Sequence, residues 1–285
     1  MDNSKKLLYL GPRGTYSDIA VDVAKKILPF LEEFEPVPVF NINEIIVNVD
    51  KNPDCVAVVP VENSIEGLVR ETVDKIVRTE NYIRVFQEVI VPVANCLISN
   101  SGDITKVRKI ISHPQPLAQC NNYIHSLEKK LGLDIELIPS TSTSKAISEL
   151  GDFADDAAAI GNEKAAALYG KKIVEKNIND EPDNKTRFLC IGRTYPSASG
   201  NDRTSIAFST LNQPGALVSV LNVLKDCGLN MSCIDSRPSK KNLGEYMFYV
   251  DIDGHVEDEN VKNAIELIKP MTTFYRLIGS YPKFQ

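Results

Sequence analysis

Apolar and polar positions follow a repeating order along the first two thirds of the chain. A short apolar run leads to a polar or glycine-bearing corner, and the corner leads to a stretch with apolar residues three or four apart. Residues 7–10 are followed by Gly11-Pro-Arg-Gly-Thr-Tyr-Ser17 and then by 18–30, where Ile19, Val23 and Ile27 share one helical face. Ser17 is the expected N-cap of that helix. Residues 56–59 run into Pro60-Val-Glu-Asn-Ser-Ile-Glu-Gly67 and a helix carrying Val69, Val73 and Ile76. Residues 107–111 and Ser112-His-Pro-Gln115 precede a helix through Leu131. Residues 135–138 and the hydroxyl-rich 139–144 precede a helix ending at Gly151, and 157–160 precede the alanine-rich 163–169. Strands alternating with helices predict βαβ units and mostly parallel sheets, an α/β fold in which ligands bind beyond the carboxyl ends of the strands. The polar corners lie there.

The rhythm breaks at 82–99, where two β-rich runs follow one another with no helix between them. This stretch is the expected crossover from a first lobe (about 1–85 and 178–195) to a second (about 90–175). Residues 179–184 and the strand 186–192 are the return. Residues 1–195 thus read as one two-lobed domain with a cleft between its lobes. The small-residue stretch Tyr195-Pro-Ser-Ala-Ser-Gly-Asn-Asp202 reads as a linker. Beyond it the pattern changes to strand 203–210, helix 214–227, strands 229–236 and 246–252, helix 257–268 and strand 274–278. Pro214 starts the first of these helices and Gly228 stops it. The order βαββαβ over 203–285 is the ferredoxin-like unit.

Composition narrows the chemistry. The 285 residues fit two domains, and with 43% hydrophobic and 25% charged residues the chain is that of an ordinary globular protein. A net charge of −6 argues against a nucleic-acid partner. The six cysteines are scattered through apolar runs without a C-x-x-C pair, and the three histidines show no metal-binding spacing, so reduced thiols and no metal or other cofactor are expected. The apolar run at 7–10 is far too short for a secretion signal or a membrane span, which predicts a cytoplasmic protein with no membrane partner.

The corner Gly11-Pro-Arg-Gly-Thr-Tyr-Ser17 is neither a Walker loop nor a dinucleotide fingerprint. It offers helix N-terminal N–H groups, the hydroxyls of Thr15 and Ser17, and Arg13, a set suited to a carboxylate or phosphate. Glu62-Asn63-Ser64 and Ser112-His113-Pro114-Gln115 occupy equivalent strand-to-helix corners, and Gln119 lies two helical turns beyond Ser112. A hydrolytic Ser112–His113 pair is a weak reading, because the nucleophile-elbow pattern is missing. His113 reads as structural. Asn184-Lys-Thr-Arg-Phe188 matches a glycosylation sequon, read as chance, while Thr186 and Arg187 open the returning strand at the junction of both lobes.

Taken in order, Gly11-Pro-Arg-Gly-Thr-Tyr-Ser17, Pro60-Val-Glu-Asn-Ser64, Ser112-His-Pro-Gln-Pro-Leu-Ala-Gln-Cys120 and Asn184-Lys-Thr-Arg-Phe188 resemble the prephenate dehydratase family. Pro214-Gly-Ala-Leu-Val218 and Asp235-Ser-Arg-Pro238 resemble the two ligand-binding signatures of the ACT regulatory domain that follows the catalytic domain there. With no chorismate mutase segment before Leu7, the monofunctional form is the one resembled. Aspartate stands at 235 where the family has glutamate, and 140–146 is a looser match to the family's Ser-Thr loop.

The resemblance implies a catalytic domain of the type 2 periplasmic-binding-protein architecture. It also implies conversion of prephenate to phenylpyruvate with loss of water and carbon dioxide, a lyase reaction of L-phenylalanine biosynthesis. Thr186 is implied as the group that protonates or hydrogen-bonds the leaving hydroxyl. Asn63, Ser112 and Gln119 would orient the substrate, and Thr15, Ser64, Arg13 and Arg187 would bind it. L-Phenylalanine is the implied feedback effector, held by Gly215, Ala216, Leu217, Val218, Asp235, Ser236, Arg237 and Pro238, and pairing of subunits into a homodimer or homotetramer is expected. Arogenate dehydratase is a rival within enzymes, and a non-catalytic amino-acid sensor is a rival outside them.

Overall fold

The computed structural model describes residues 5–79, 83–239 and 245–284. Strand β1 (Lys6–Leu10) enters helix α1 (Tyr16–Ile27), which ends at Leu28 because Pro29 restricts the residue before it and donates no backbone bond. Strand β2 (Glu35–Val39), helix α2 (Ile42–Lys51), strand β3 (Cys55–Asn63), the two-residue β4 (Gly67–Leu68) and helix α3 (Arg70–Ile76) follow. Next come β5 (Arg84–Pro92), β6 (Cys96–Ser99), β7 (Lys109–Ser112), α4 (Pro114–Gln119), α5 (Asn121–Leu131), β8 (Glu136–Pro139), α6 (Thr143–Ser148), β9 (Ala157–Gly161), α7 (Glu163–Leu168), β10 (Lys172–Glu175) and β11 (Lys185–Gly192). The C-terminal part is β12 (Asp202–Ser209), α8 (Ala216–Asp226), β13 (Met231–Pro238), β14 (Tyr246–Asp253), α9 (Glu259–Ile268) and β15 (Phe274–Pro282).

Two sheets form two lobes. The smaller runs β10-β6-β9-β7-β8. The other runs β13-β14-β12-β15-β5-β11-β3-β1-β2, with β4 beside β3. In the first lobe α1 covers one face, packing Ala20, Val21 and Ala24 on Leu7, Tyr9, Val56 and Val58. On the opposite face, Ile45, Ile46, Val73 and Ile76 of α2 and α3 pack on Leu8, Ala57, Val59 and Leu189. Burial on both faces is why β3 reads as a nearly continuous apolar run rather than as an alternation.

Three expectations shift. The whole of β5, to Pro92, belongs to the first sheet, so the crossover shortens from 82–99 to 93–95; Tyr82 lies outside the described residues, as do residues 240–244 of the turn before β14. The helix expected after Ser112 is broken at Cys120 into α4 and α5. The N-cap of α1 is Thr15, whose side chain accepts from Asp18 N, and not Ser17.

The strand order β13-β14-β12-β15 is that of the ferredoxin-like unit, with α8 and α9 packed on one face. The unit does not hang from a linker. Strand β15 pairs with β5 in parallel, at Gly279 opposite Val85, so one sheet runs through both parts of the chain. The core does likewise: Ala207, Met247, Tyr249, Ile278 and Tyr281 join the cluster built on α2 and α3. At the seam the backbones come so close that a Cβ on Gly279 would lie 2.7 Å from Val85 Cβ and 2.9 Å from Val85 N. Gly279→Ala is therefore expected to lower the unfolding free energy by about 1–3 kcal/mol. In denaturant titrations Gly151→Ala, where the nearest atom is the end of Lys171 at 3.7 Å, should stay within about 0.5 kcal/mol of the parent. Equal midpoints for the two variants would contradict a tight seam.

Candidate active site

A cavity of about 550 Å³ opens between the lobes, where β1 and β3 end, β11 begins, and the α4 and α6 corners of the second lobe face them. Ladder geometry brings its central groups together. Strand β11 runs antiparallel to β3 with Thr186 opposite Asn63, so the end of one strand and the start of the other deliver both side chains to one spot. Asn63 Nδ2 donates to Thr186 Oγ1 at 3.0 Å and to Asn184 Oδ1 at 2.8 Å. Asn63 Oδ1 accepts from the backbone of Ile65 and Glu66, which fixes the amide's orientation. Asn184 Nδ2 donates to Gln119 Oε1 at 3.2 Å, across to the second lobe. A chain Thr186–Asn63–Asn184–Gln119 thus spans the cleft. At its ends, the Thr186 hydroxyl proton has no acceptor among the described residues, and the buried Gln119 Nε2, which lines the cavity, has no partner.

Asn184 belongs to a motif that carries the family resemblance, but the sequence reading gives it no role of its own. The available signal was its spacing: residues 184 and 186 point the same way on a strand.

The α1 corner forms another wall. Thr15 lines the cavity, but its hydroxyl is engaged with Pro12 O (3.0 Å), Leu10 O (3.2 Å) and Asp18 N (3.4 Å). Tyr16 and Ser17 also line it, and the first-turn N–H groups of a helix have no intrahelical acceptor. Tyr16 OH donates to Asn95 Oδ1 at 2.9 Å, and burial raises its pKa, keeping the phenol protonated. The corner is fastened to the second lobe: Asn162 Nδ2 donates to Gly14 O at 2.8 Å, Ser144 Oγ to Arg13 O, and Lys164 Nζ meets Asp18 at 3.0 Å and Asp22 at 2.6 Å. From that lobe His113, Gln115, Thr141, Ser142 and Thr143 reach the cavity, so the loosely matched loop at 140–146 does contribute.

Four sequence-predicted residues are placed differently. Ser112 is fully buried and its hydroxyl donates to Ile160 O at 2.8 Å, holding β7 to β9 rather than meeting a ligand. Ser64 is exposed and outside the cavity, where it accepts from Lys185 N at 3.0 Å and so anchors the start of β11. Arg13 projects to solvent and does not line the cavity. Arg187 is turned away from it, as strand alternation requires when Thr186 and Phe188 line the cleft. Its guanidinium meets Asp251 at 2.7 Å, Glu62 at 3.0 Å and Glu88 at 3.4 Å. Burial opposes its charge, but the carboxylates of Asp251, foremost, and of Glu62 hold its pKa above the usual arginine value. No lysine or arginine lines the cavity among the described residues, and Glu66 is the one carboxylate that does.

In the C-terminal unit Gly215 caps α8 with φ +82°, a conformation glycine adopts without strain. Ala216 and Leu217 line a small recess of about 150 Å³, whereas Val218 points to solvent. Arg237 forms a fork with Asp74 of α3, both distances 3.3 Å, and Asp235 lies 4.0 Å from it. Ser236 and Pro238 are exposed on the edge strand. Register places Ser209, Met247 and Arg237 in one row, so the Gly215 loop and residues 235–238 share one end of the sheet.

A family model described as prephenate dehydratase matches residues 7–196. The chain belongs to the prephenate dehydratase family. A prephenate dehydratase of Methanocaldococcus jannaschii is 36% identical, covering 99% of both chains. An arogenate dehydratase/prephenate dehydratase of Arabidopsis thaliana is also 36% identical, over 97% of this chain and 72% of that one. The crystal structure of a prephenate dehydratase from Arthrobacter aurescens in complex with L-phenylalanine superposes with a TM-score of 0.85 at 31% identity, over 97% of this chain and 90% of that one. A structure described as a quorum-quenching acylase superposes with a TM-score of 0.83 at 25% identity over 98% of both chains.

The amide chain is a structural claim with its own test. Asn184→Ala leaves the Gln119 side-chain oxygen without its partner and takes from Asn63 the nearest of its three acceptors, and is expected to cost about 1–3 kcal/mol in chemical denaturation. The exposed Asn52→Ala should stay within about 0.5 kcal/mol of the parent, and equal effects would mean that the bridge adds nothing.

Proposed function

We propose that this protein is a carbon–oxygen lyase that converts prephenate to phenylpyruvate, and that Thr186 serves the leaving hydroxyl. The observation that carries this reading is the Thr186 hydroxyl: Thr186 lines the cavity, its oxygen accepts from Asn63, and its proton has no acceptor among the described residues. The reaction needs one proton. It passes to the ring hydroxyl, the C–O bond breaks and water leaves; the ring carboxylate departs as carbon dioxide, and its bonding electrons complete the aromatic ring. Threonine is too weak an acid to ionise first, so proton transfer accompanies C–O cleavage while the Asn63 N–H supports the oxygen, and solvent water returns a proton to Thr186, so that the net proton consumed comes from solvent.

The two carboxylates are met by neutral donors: the first-turn N–H groups of α1, Gln119 Nε2, and the hydroxyls of the 141–143 corner. Phe40, Ile42, Leu68, Val69 and Phe188 supply the apolar wall for the ring.

Arogenate, with an ammonium in place of the keto group, is the second reading, and Glu66 in the cavity wall is the observation that favours it. Acyl hydrolysis has less support, because no histidine of the described residues hydrogen-bonds a serine or threonine hydroxyl, and His113 Nδ1 accepts from Gln115 N at 3.3 Å. L-Phenylalanine acts as effector on the C-terminal unit, at the end of the sheet shared by the Gly215 loop and residues 235–238. A cavity of about 570 Å³ between that end and Val77 and Arg78, which follow α3, supports this role. A second subunit packs on the exposed Leu211, Val218 and Ile234 to give the homodimer or homotetramer.

Purified protein is expected to form phenylpyruvate from prephenate, followed by its absorbance, with turnover lowered by L-phenylalanine. Thr186→Ala should lower kcat about 10²–10⁴-fold, and Thr186→Ser should retain most of it. Faster turnover of arogenate would select the second reading. Undiminished kcat in folded Thr186→Ala would sink the role given to Thr186.

A further inference from the structure

The step of the β3/β11 ladder that carries Thr186 and Asn63 carries a buried charge cluster on the strands' other side. Arg187 and Glu62 are in register next to Thr186 and Asn63, and they form an ion pair. Arg187 reaches onward to Asp251 of β14 at 2.7 Å, and the Asp251 side chain is 1% exposed. Asp251 is itself held on both oxygens. Its Oδ1 accepts from Ser205 Oγ of β12 at 2.6 Å, and Ser205 is bonded by Tyr281 OH of β15 at 2.7 Å and by Tyr249 OH at 3.3 Å. Glu88 of β5 closes the cluster, meeting Arg203 and the Phe284 N–H. One unbroken series of buried polar contacts therefore leads from three strands of the C-terminal unit to the residue beside the Thr186 hydroxyl.

Such a cluster has little freedom. A buried guanidinium that loses one of its carboxylates keeps less compensation in a medium that solvates it poorly, so the strands that carry the partners are held in one arrangement. The ladder is irregular between Arg187 and Phe188, the point where contacts set by neighbouring strands, rather than regular pairing, decide the strand's path.

We propose that Asp251 is a positioning residue for the dehydration: acting through Arg187, it sets the aim of Thr186 and Asn63, so that the C-terminal unit is a structural part of the active site. This rests on the role given to Thr186 above. Asp251 touches no cavity-lining group and takes no part in binding the substrate, so its loss is read in kcat and not in KM.

The test uses the full chain and two variants, Asp251→Asn and the milder Ser205→Ala, which keeps the ion pair but releases its brace. Both are assayed with prephenate at a temperature where melting curves show each variant folded. Asp251→Asn is expected to lower kcat about 10–100-fold and Ser205→Ala about 3–10-fold, with KM within twofold of the parent. The nitrogen and proton NMR signals of the Asn63 side-chain amide should shift in both. If Asp251→Asn does not fold, Ser205→Ala decides alone. Unchanged kcat in the folded variants, or a rise in KM at constant kcat, overturns the positioning role while leaving the wild-type activity standing. A wild-type protein inactive on prephenate overturns the reading of the cleft and this proposal with it.

Discussion

A guanidinium withdrawn from water has to be surrounded by carboxylates, and the arrangement around Arg187 is the constraint on which the first lobe and the C-terminal unit both depend. Its partners come from β3, β5 and β14, strands that are far apart in the chain. Satisfying one charge therefore fixes three strands relative to β11. Side chains alternate along a strand, so committing Arg187 to the buried cluster commits Thr186 and Phe188 to the cleft. Charge burial on one side and the placement of Thr186 in the cleft on the other are consequences of one local geometry.

The cleft is built with the opposite economy of charge. Its donors are backbone N–H groups, amides and hydroxyls, and no lysine or arginine lines it among the described residues. That suits a substrate carboxylate that leaves as neutral carbon dioxide. A strong ion pair would stabilise the carboxylate most before the reaction, when its charge is whole, and only interactions that strengthen toward the transition state raise kcat. Neutral donors would position such a group without deepening that well. The fastening of the α1 corner to Asn162, Ser144 and Lys164 keeps those donors in place from the second-lobe side.

Much of the architecture was legible because it rests on local pattern. The βαβ rhythm, the βαββαβ order and the position of Thr186 at the opening of a returning strand follow from periodicity, turn residues and chain order. The misplacements have a common cause in contacts between residues distant in sequence. Arg187 was expected beside Thr186 in the cleft, but adjacent strand residues face opposite ways, and only the arrival of Glu88 and Asp251 shows where the arginine is needed. Ser112 offered a hydroxyl at a strand end, yet the carbonyl of Ile160 on a neighbouring strand takes it. Asn184 sits in a matching motif without a role of its own in the sequence, and only the convergence of Asn63, Ser64 and Gln119 on its amide gives it one. The linker at 195–202 suggested an appended unit, whereas pairing of β15 with β5, which leaves no trace in local pattern, merges the two sheets.

The central claim is that the Thr186 hydroxyl, aimed by Asn63, meets the hydroxyl that leaves. Its most direct test is the crystal structure of this protein with an unreactive prephenate analogue that keeps both carboxylates and the ring hydroxyl. Thr186 Oγ1 is expected within about 2.6–3.2 Å of that hydroxyl, with the carboxylates on the α1 N–H groups and Gln119. An analogue bound in the cleft with its ring hydroxyl turned away from Thr186 and served by another residue would contradict it.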